Sequence, residues 1–302
     1  YEIMPSLVGS EMCIRDRNVT FDETLPTNYL ADEVIDDNKV NELLAKKYNE
    51  TIVIAEDDSE ILAYLKDELS TNFRVIAVNN GYDAVKAVMD DEVSLILSDV
   101  LMPALNGFQL CSNIKSNIAT CHIPIVLLTA LSDDNQRIYG IAEGADEYIH
   151  KPFNMQYVRL KIIRIIEERK RLASTFAQKF GRLTRHEAAN LPCVDDVFRD
   201  KLFNLIEAQH SDSNFKIELM SDMLGMSRIL LYRKITSIFG MSPSDLLRNY
   251  RLQKAVQLLT DQRRNVSEVA YIVGFSSPAY FAKCFKSVYN MTPTEYMYRT
   301  RE

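Results

Sequence analysis

Residues 95–107 read "LILSDVLMPALNG", and this stretch decides the fold of the first half of the chain. A short apolar run ends at Asp99, and Pro103 and Gly107 follow at once. An unbroken apolar run of this length is typical of a strand buried on both faces of a parallel sheet. In such sheets ligands bind outside the carboxyl ends of the strands. We therefore expect Asp99 to lie at the edge of the sheet where functional groups collect.

Similar apolar runs alternate with segments of helical period from residue 51 onward. The predicted strands lie in "TIVIAEDD", "FRVIAVNN", "SLILSD", "IPIVLLTA" and "EYIHKPF". Helical segments lie between them, with Ser59 as the expected N-cap of the first and residues 134–145 as the last before the fifth strand. A long helix is expected from about Asn154 to Phe180. This alternation predicts an α/β fold, a doubly wound five-stranded parallel sheet covered on both faces.

Strand signals disappear after Val197, and apolar residues recur there at helical spacing. The stretch "SDMLGMSRILLYRKITSIFGMSP" is repeated as "AYIVGFSSPAYFAKCFKSVYNMTP". Each copy has the pattern helix, tight turn, helix, with Gly225 or Gly274 at the turn and Ser-Pro or Thr-Pro starting the next helix. The sequence therefore predicts an all-α second domain with two helix-turn-helix units.

Charge differs between the two halves. Residues 51–155 hold 16 acidic and 6 basic side chains, whereas residues 156–302 hold 24 basic and 15 acidic ones. Only the second half is therefore expected to approach a polyanion. No run of 18 apolar residues appears, so we expect a cytoplasmic segment without membrane contact. The 5 cysteines are scattered, which favours reduced thiols over a disulfide framework.

The chain divides into five predicted parts. Residues 1–17 are similar to translated sequencing-adapter readthrough and are predicted to be non-native, and residues 18–50 form an acidic linker. The parallel sheet occupies residues 51–155, a helical linker residues 156–196, and the all-α domain residues 197–302.

Polar residues stand at four predicted strand ends. They are Glu56 and Asp57 after the first strand, Asp99 after the third, Thr129 after the fourth and Lys151 after the fifth. Converging carboxylates repel one another, and a hard divalent cation with oxygen ligands, Mg²⁺, relieves that repulsion. The pattern predicts that Asp99 attacks a phosphoryl donor while Mg²⁺ and Lys151 neutralise the developing charge.

The motifs "IAEDD", "LSDVLMPALNG", "LLTA" and "EYIHKPF" resemble those of a response-regulator receiver domain, a flavodoxin-like fold, over residues 51–155. The resemblance implies that Asp99 is the phosphoacceptor and that the Lys151–Pro152 bond is cis. It implies Mg²⁺ ligation by Asp57 directly, by Glu56 through water and by the backbone carbonyl of Leu101. Thr129 and Lys151 would bind the phosphoryl group, and Tyr148 would be the aromatic switch.

Residues 197–302 resemble an AraC/XylS-type DNA-binding domain, on "GMSRILLYRKI", "GMSP", "RLQKAVQLL", "VSEVAYIVGFSSPAYFAKCFK" and "MTPTEY". The second helix of each unit would enter the major groove. The residues expected near bases are Arg228, Ile229, Tyr232, Ser277 and Ala279. Those expected on phosphates are Arg233, Lys234, Lys283 and Lys286. Those expected in the core are Leu231, Ile235, Phe281 and Phe285.

Together these features predict a phosphorylation-gated regulator that binds promoter DNA and dimerises on phosphorylation. Its histidine kinase would be separate or on the same longer polypeptide, as in hybrid two-component regulators. One alternative is a phosphorylation-independent DNA-binding factor with a structural receiver. Another is an aspartyl-phosphate hydrolase of the haloacid-dehalogenase kind, which expects an acid two residues after the nucleophile, where Leu101 stands.

Overall fold

The computed structural model describes residues 37–129, 144–180, 195–260 and 264–299. The predicted segment 1–17 lies outside the described residues, as does the predicted helix at residues 134–145 apart from its last two positions. Within the described ranges, no helix combines the length and the apolar character needed to cross a bilayer.

The first half contains a five-stranded parallel sheet with the strand order β2-β1-β3-β4-β5, as the alternation predicts. Its strands are β1 (Thr51–Ala55), β2 (Arg74–Val78), β3 (Leu95–Asp99), β4 (Ile125–Thr129) and β5 (Glu147–His150). The described helices of this half are α1 (Asp37–Ala45), α2 (Ser59–Ser70), α3 (Gly81–Asp90) and α4 (Gly107–Ser116). Every residue of β1, β3 and β4 is buried, which explains why these strands are continuous apolar runs in the sequence.

The strand register brings the predicted site residues to one edge. Ala55 pairs with Ser98, Asp99 with Leu128, and Thr129 with His150, so consecutive carboxyl ends lie side by side. The chain order reverses between β1 and β3, which is the position at which open α/β sheets bind ligands.

One local prediction is wrong. The N-cap of α2 is Asp58 rather than Ser59, which is the first residue of the helix. The Asp58 carboxylate accepts the N–H groups of Glu60 at 2.8 Å and Ile61 at 3.1 Å. A carboxylate interacts favourably with the positive end of the helix dipole as well as with the free N–H groups, so it outcompetes the adjacent hydroxyl.

A long helix, α5 (Met155–Phe180), belongs to both halves of the molecule. Val158 and Ile162 lie in the core beneath the sheet. Phe176 and Phe180, near the other end, lie in the first core of the all-α domain. At 26 residues the helix is about 39 Å long, so it extends well beyond the sheet and provides one wall of each core.

The second half is helical in its described parts, as the sequence predicts. Its helices are α6 (Asp196–Gln209), α7 (Ile217–Met223), α8 (Arg228–Phe239), α9 (Pro243–Thr260), α10 (Val266–Ile272), α11 (Pro278–Tyr289) and α12 (Pro293–Arg299). The two helix-turn-helix units are α7–α8 and α10–α11. Gly225 and Gly274 have φ of +67° and +88°, the left-handed geometry that the tight turns require. The four residues predicted for the core, Leu231, Ile235, Phe281 and Phe285, are all fully buried.

Candidate functional site

Three carboxylates meet at the carboxyl edge of the sheet. Oxygens of Glu56, Asp57 and Asp99 all lie within 4.8 Å of one another. Glu56 and Asp99 are buried, whereas Asp57 is exposed at the mouth of the site. An oxygen-only donor set of this charge suits a hard cation such as Mg²⁺ better than zinc or copper. The residues present therefore fit the predicted metal.

Lys151 supplies the opposite charge. Its Nζ lies 2.9 Å from Oε2 of Glu56 and 3.2 Å from Oδ1 of Asp99. Burial raises the pKa of Glu56, the neighbouring Asp99 charge adds to the rise, and the Lys151 hydrogen bond opposes it. Burial alone would lower the pKa of Lys151, but its hydrogen bond to Glu56 and the charges of both carboxylates raise it overall. The ammonium group therefore stays charged beside Asp99.

The loop after β3 holds the Asp99 carboxylate in place. The N–H of Val100 donates to Asp99 Oδ1 at 2.9 Å, and the N–H of Gly107 donates to the Val100 carbonyl at 3.0 Å. A Cβ at Gly107 would lie 2.3 Å from the Asp99 carbonyl oxygen, so only glycine allows this close approach. Asn106 then caps α4 in a reciprocal capping box with Gln109.

Of the other predicted receiver residues, Thr129 lies at the same edge and Tyr148 lies two residues before the end of β5. Thr129 is buried at the end of β4, and Tyr148 is half-buried on β5 against the core on the α3–α4 side. The Lys151–Pro152 bond is cis, as expected. Leu101 is 59% exposed, so its side chain contributes little to the core, and the ligation of Mg²⁺ by its backbone carbonyl stays a prediction.

The second recognition helix, α11, displays its predicted DNA contacts. Ala279, Lys283 and Lys286 are exposed, while Ser277 is engaged as the N-cap that accepts the N–H of Tyr280. Tyr280 is 53% exposed beside Ala279 and was not among the predicted contacts. The sequence signal that could have predicted Tyr280 as a DNA contact was an aromatic residue at the start of a recognition helix.

The first recognition helix, α8, displays only part of its predicted set. Arg228, Ile229 and Tyr232 are exposed, and Arg228 pairs with Glu218 at 3.0 Å. Arg233 is half-buried against the receiver half, and Lys234 has no exposed side-chain surface. Neither can contact a phosphate in this arrangement.

Lys234 instead lies in a buried cluster that the sequence did not reveal. Its Nζ lies 2.6 Å from Asp195 Oδ2 and 3.2 Å from the Cys121 sulfur, and it also donates to the carbonyl of Ile118. Burial and the hydrogen bond to Asp195 raise the pKa of the Cys121 thiol, so it remains protonated and donates to that carboxylate.

Comparison with known proteins identifies both halves. The family model of the response regulator receiver domain matches residues 52–163, and a helix-turn-helix domain model matches residues 220–299. Histidine kinase P4 of Formosa agariphila is 37% identical over 280 residues, which are 93% of this chain and 20% of that protein. The transcriptional regulatory protein GltR of Pseudomonas aeruginosa is 38% identical over 113 residues, 37% of this chain and 47% of that protein.

Among solved structures, the receiver domain of a signal transduction histidine kinase from Syntrophus aciditrophicus is 34% identical, with a TM-score of 0.39 over 40% of this chain and 93% of that chain. The chain thus spans less than half the length of the two curated relatives named above. It contains a response-regulator receiver domain joined to an AraC-type helix-turn-helix domain.

Proposed function

We propose that this chain is a phosphorylation-gated transcription regulator that accepts a phosphoryl group on Asp99 and binds promoter DNA through its two helix-turn-helix units. The observation that carries the first part is the convergence of three carboxylates and Lys151 on one sheet edge. A structural receiver would have no need for buried like charges, which are costly unless a cation or a reaction uses them.

The geometry suggests how Asp99 reacts. Lys151 and the Val100 N–H both engage Oδ1, which orients the carboxylate, so Oδ2 would be the oxygen that attacks the phosphorus. Oδ2 would form the new O–P bond while the bond from phosphorus to the donor breaks, and the leaving group takes a proton from solvent. Lys151 would pair with the negative charge that develops on the transferred oxygens, and the Thr129 hydroxyl would donate a hydrogen bond to one of them. Mg²⁺, held by Glu56, Asp57, Asp99 and the Leu101 carbonyl, would supply further charge neutralisation.

The phosphoryl source is a histidine kinase, either separate or on the same longer polypeptide. The match to a named histidine kinase over 93% of this chain supports the second arrangement. A phosphorylation-dependent homodimer would place paired DNA-binding domains on the promoter. A longer open reading frame upstream that encodes a kinase would establish the hybrid arrangement, and purified chains of that gene would then transfer phosphate within one polypeptide.

The phosphoacceptor is tested by intact-protein mass after incubation with Mg²⁺ and acetyl phosphate. The expected gain is one phosphoryl unit, absent in Asp99→Asn. Asp57→Asn should lower phosphoryl uptake and make it insensitive to added Mg²⁺. Asp58→Asn is the matched control, because Asp58 caps α2 and lies outside the carboxylate cluster. It should label normally. Wild-type chain that gains no mass under conditions that label a control receiver would leave a DNA-binding factor with a structural receiver.

A further inference from the structure

The two helix-turn-helix units have separate hydrophobic cores that meet on helix α9. Leu246 and Tyr250, in the first half of this helix, lie in the core of the first unit. Leu252 and Leu259, further along, lie in the core of the second unit. The 18 residues of α9 span about 27 Å, so a small change of angle at one end displaces the other end considerably. A second contact between the units would fix their orientation more firmly than α9 alone.

Arg251 makes such a contact at the boundary between the two cores. Its Nε donates to the His210 carbonyl at 2.8 Å, and a terminal nitrogen donates to the carbonyls of Asp212 at 2.7 Å and Phe215 at 3.4 Å. These carbonyls belong to residues 210–215, which follow α6 and are here named the bridging turn. Carbonyl groups at the end of a helix lack donors within the helix and favour a positive charge. A guanidinium group, with five N–H donors in a fixed plane, suits several acceptors of this kind.

The bridging turn is anchored in the first unit and touches the second. Phe215 is 1% exposed in the core of the first unit, which holds the turn there. On its other side the turn packs against Gly274, the glycine between α10 and α11. A Cβ at Gly274 would overlap the His210 carbonyl oxygen and would lie 3.0 Å from Nε of Arg251. One carbonyl therefore meets both Arg251 and the turn that leads into the second recognition helix.

A second cation of α9 connects to the same region. Nζ of Lys254 lies 2.9 Å from Oε1 of Glu207, in the last turn of α6. Lys254 is one helical turn beyond Arg251, so both side chains lie on the same side of α9. The end of α6 and the bridging turn are thus bonded to the middle of α9 at two levels.

We propose that Arg251 fixes the orientation of the second unit relative to the first by binding the bridging turn, and that it thereby selects the spacing between the two DNA subsites that one chain contacts. The inference rests on the proposed function, because it requires promoter binding through both units. Arg251 is a positioning residue in this proposal, since its bonds to the bridging turn determine where α11 lies relative to α8.

The spacing between subsites places strict demands on the protein. One inserted base pair moves a subsite by about 3.4 Å along the duplex and turns it by about 34–36° around the axis. Two recognition helices in a fixed orientation cannot follow both changes, so one unit loses contacts with its bases. Loss of the contacts to one base pair lowers affinity by about tenfold. Units joined by α9 alone would follow part of the change and would show a weaker preference for one spacing.

The test measures how affinity depends on spacing in the wild-type chain and in Arg251→Met. The probe is a duplex enriched from a random-sequence library on the wild-type chain, in which single-base substitutions locate the two subsites. Duplexes with one base pair inserted or removed between the subsites are titrated by fluorescence anisotropy at fixed salt. Arg248→Met is the matched control, because it removes the same charge from the same helix, whereas Arg248 pairs with Asp245 of α9 itself at 2.7 Å.

Wild type and Arg248→Met should lose about tenfold in affinity when the spacing changes by one base pair, and Arg251→Met should lose less than about threefold. Arg251→Lys should lie between them, because an ammonium group keeps the charge but lacks the planar set of donors. Circular dichroism establishes that each variant is folded, and Arg251→Lys replaces Arg251→Met in the comparison if the latter is unfolded.

Two results overturn the inference and leave the proposed function standing. One is the same spacing preference in wild type and in the folded Arg251 variant, even if the variant binds every duplex more weakly. The other is a wild-type affinity that does not change with spacing. If the library yields no enriched duplex, the proposed DNA binding fails and the inference fails with it.

Discussion

Replacement of Lys234 by methionine tests whether the two domains are docked in solution. Lys234 has no exposed side-chain surface and lies 2.6 Å from an Asp195 carboxylate that is itself only 10% exposed. Methionine fills a similar volume but removes the positive charge, and it leaves the Asp195 carboxylate buried with neutral donors such as the Phe198 N–H and the Cys121 thiol. Removal of one partner from a buried ion pair costs about 3–5 kcal/mol, and the remaining donors reduce this, so we expect a loss of roughly 2–4 kcal/mol in unfolding free energy.

The assay is urea unfolding followed by circular dichroism at pH 7. Asp195→Asn keeps an N-cap side chain on α6 but removes the charge, so the double variant Lys234→Met/Asp195→Asn should recover most of the loss. Such recovery is the expected non-additivity of a buried pair. Arg171→Met is the control, since Arg171 pairs with Glu168 on the surface and its loss should leave the unfolding midpoint unchanged. If Lys234→Met behaves like Arg171→Met, then Lys234 is solvated and the docked arrangement is wrong.

Three further outcomes are expected. Gly107→Ala would place a Cβ 2.3 Å from the carbonyl oxygen of Asp99, so it should cost about 1–3 kcal/mol in urea unfolding and slow phosphoryl uptake measured by mass. Burial and the Lys234 charge hold the pKa of His122 well below 6.5. As pH drops below 6.5 the unfolded chain therefore binds a proton at this residue before the folded chain does, and the free energy of unfolding falls. From pH 7.5 to 5.5 the wild type should lose about 1.4 kcal/mol more unfolding free energy than His122→Gln. Lys283→Ala should weaken duplex binding and lower the slope of log affinity against log salt by about 0.9, whereas Lys201→Ala on α6 should change neither.

The sheet and its acidic edge were predictable because their physics is local. Each of β1, β3 and β4 is buried along its whole length, so each had to be an unbroken apolar run that stands out from the flanking helices. In a parallel sheet all carboxyl ends meet at one edge, so the placement of Glu56, Asp99 and Lys151 follows once the strands are recognised. The cap of α2 was missed because two adjacent residues, Asp58 and Ser59, both suit an N-cap and only geometry distinguishes them.

The contact between the domains was not predictable from local pattern. Lys234 was expected on phosphate because basic residues on a recognition helix usually face DNA. The internal repeat held a contrary signal. Both recognition helices begin after a serine N-cap, Ser227 and Ser277, so Lys234 corresponds to Cys284, which is 7% exposed in its own core. Position seven after the cap is therefore an inward position in both units, and a lysine there needs a buried partner that only tertiary structure provides.

The ion pair at this inward position specifies geometry more than it adds stability. An apolar residue at position 234, like Cys284 in the second unit, would be stabilised by the hydrophobic effect when the receiver covers it. Lys234 and Asp195 behave differently, because both lie on the all-α side: covering them with the receiver residues Ile118 and Cys121 desolvates the pair, and the bonds to those residues offset that cost. The net free energy of covering this pair is therefore small, while the direction of the Lys234 bonds still specifies one arrangement of the two halves.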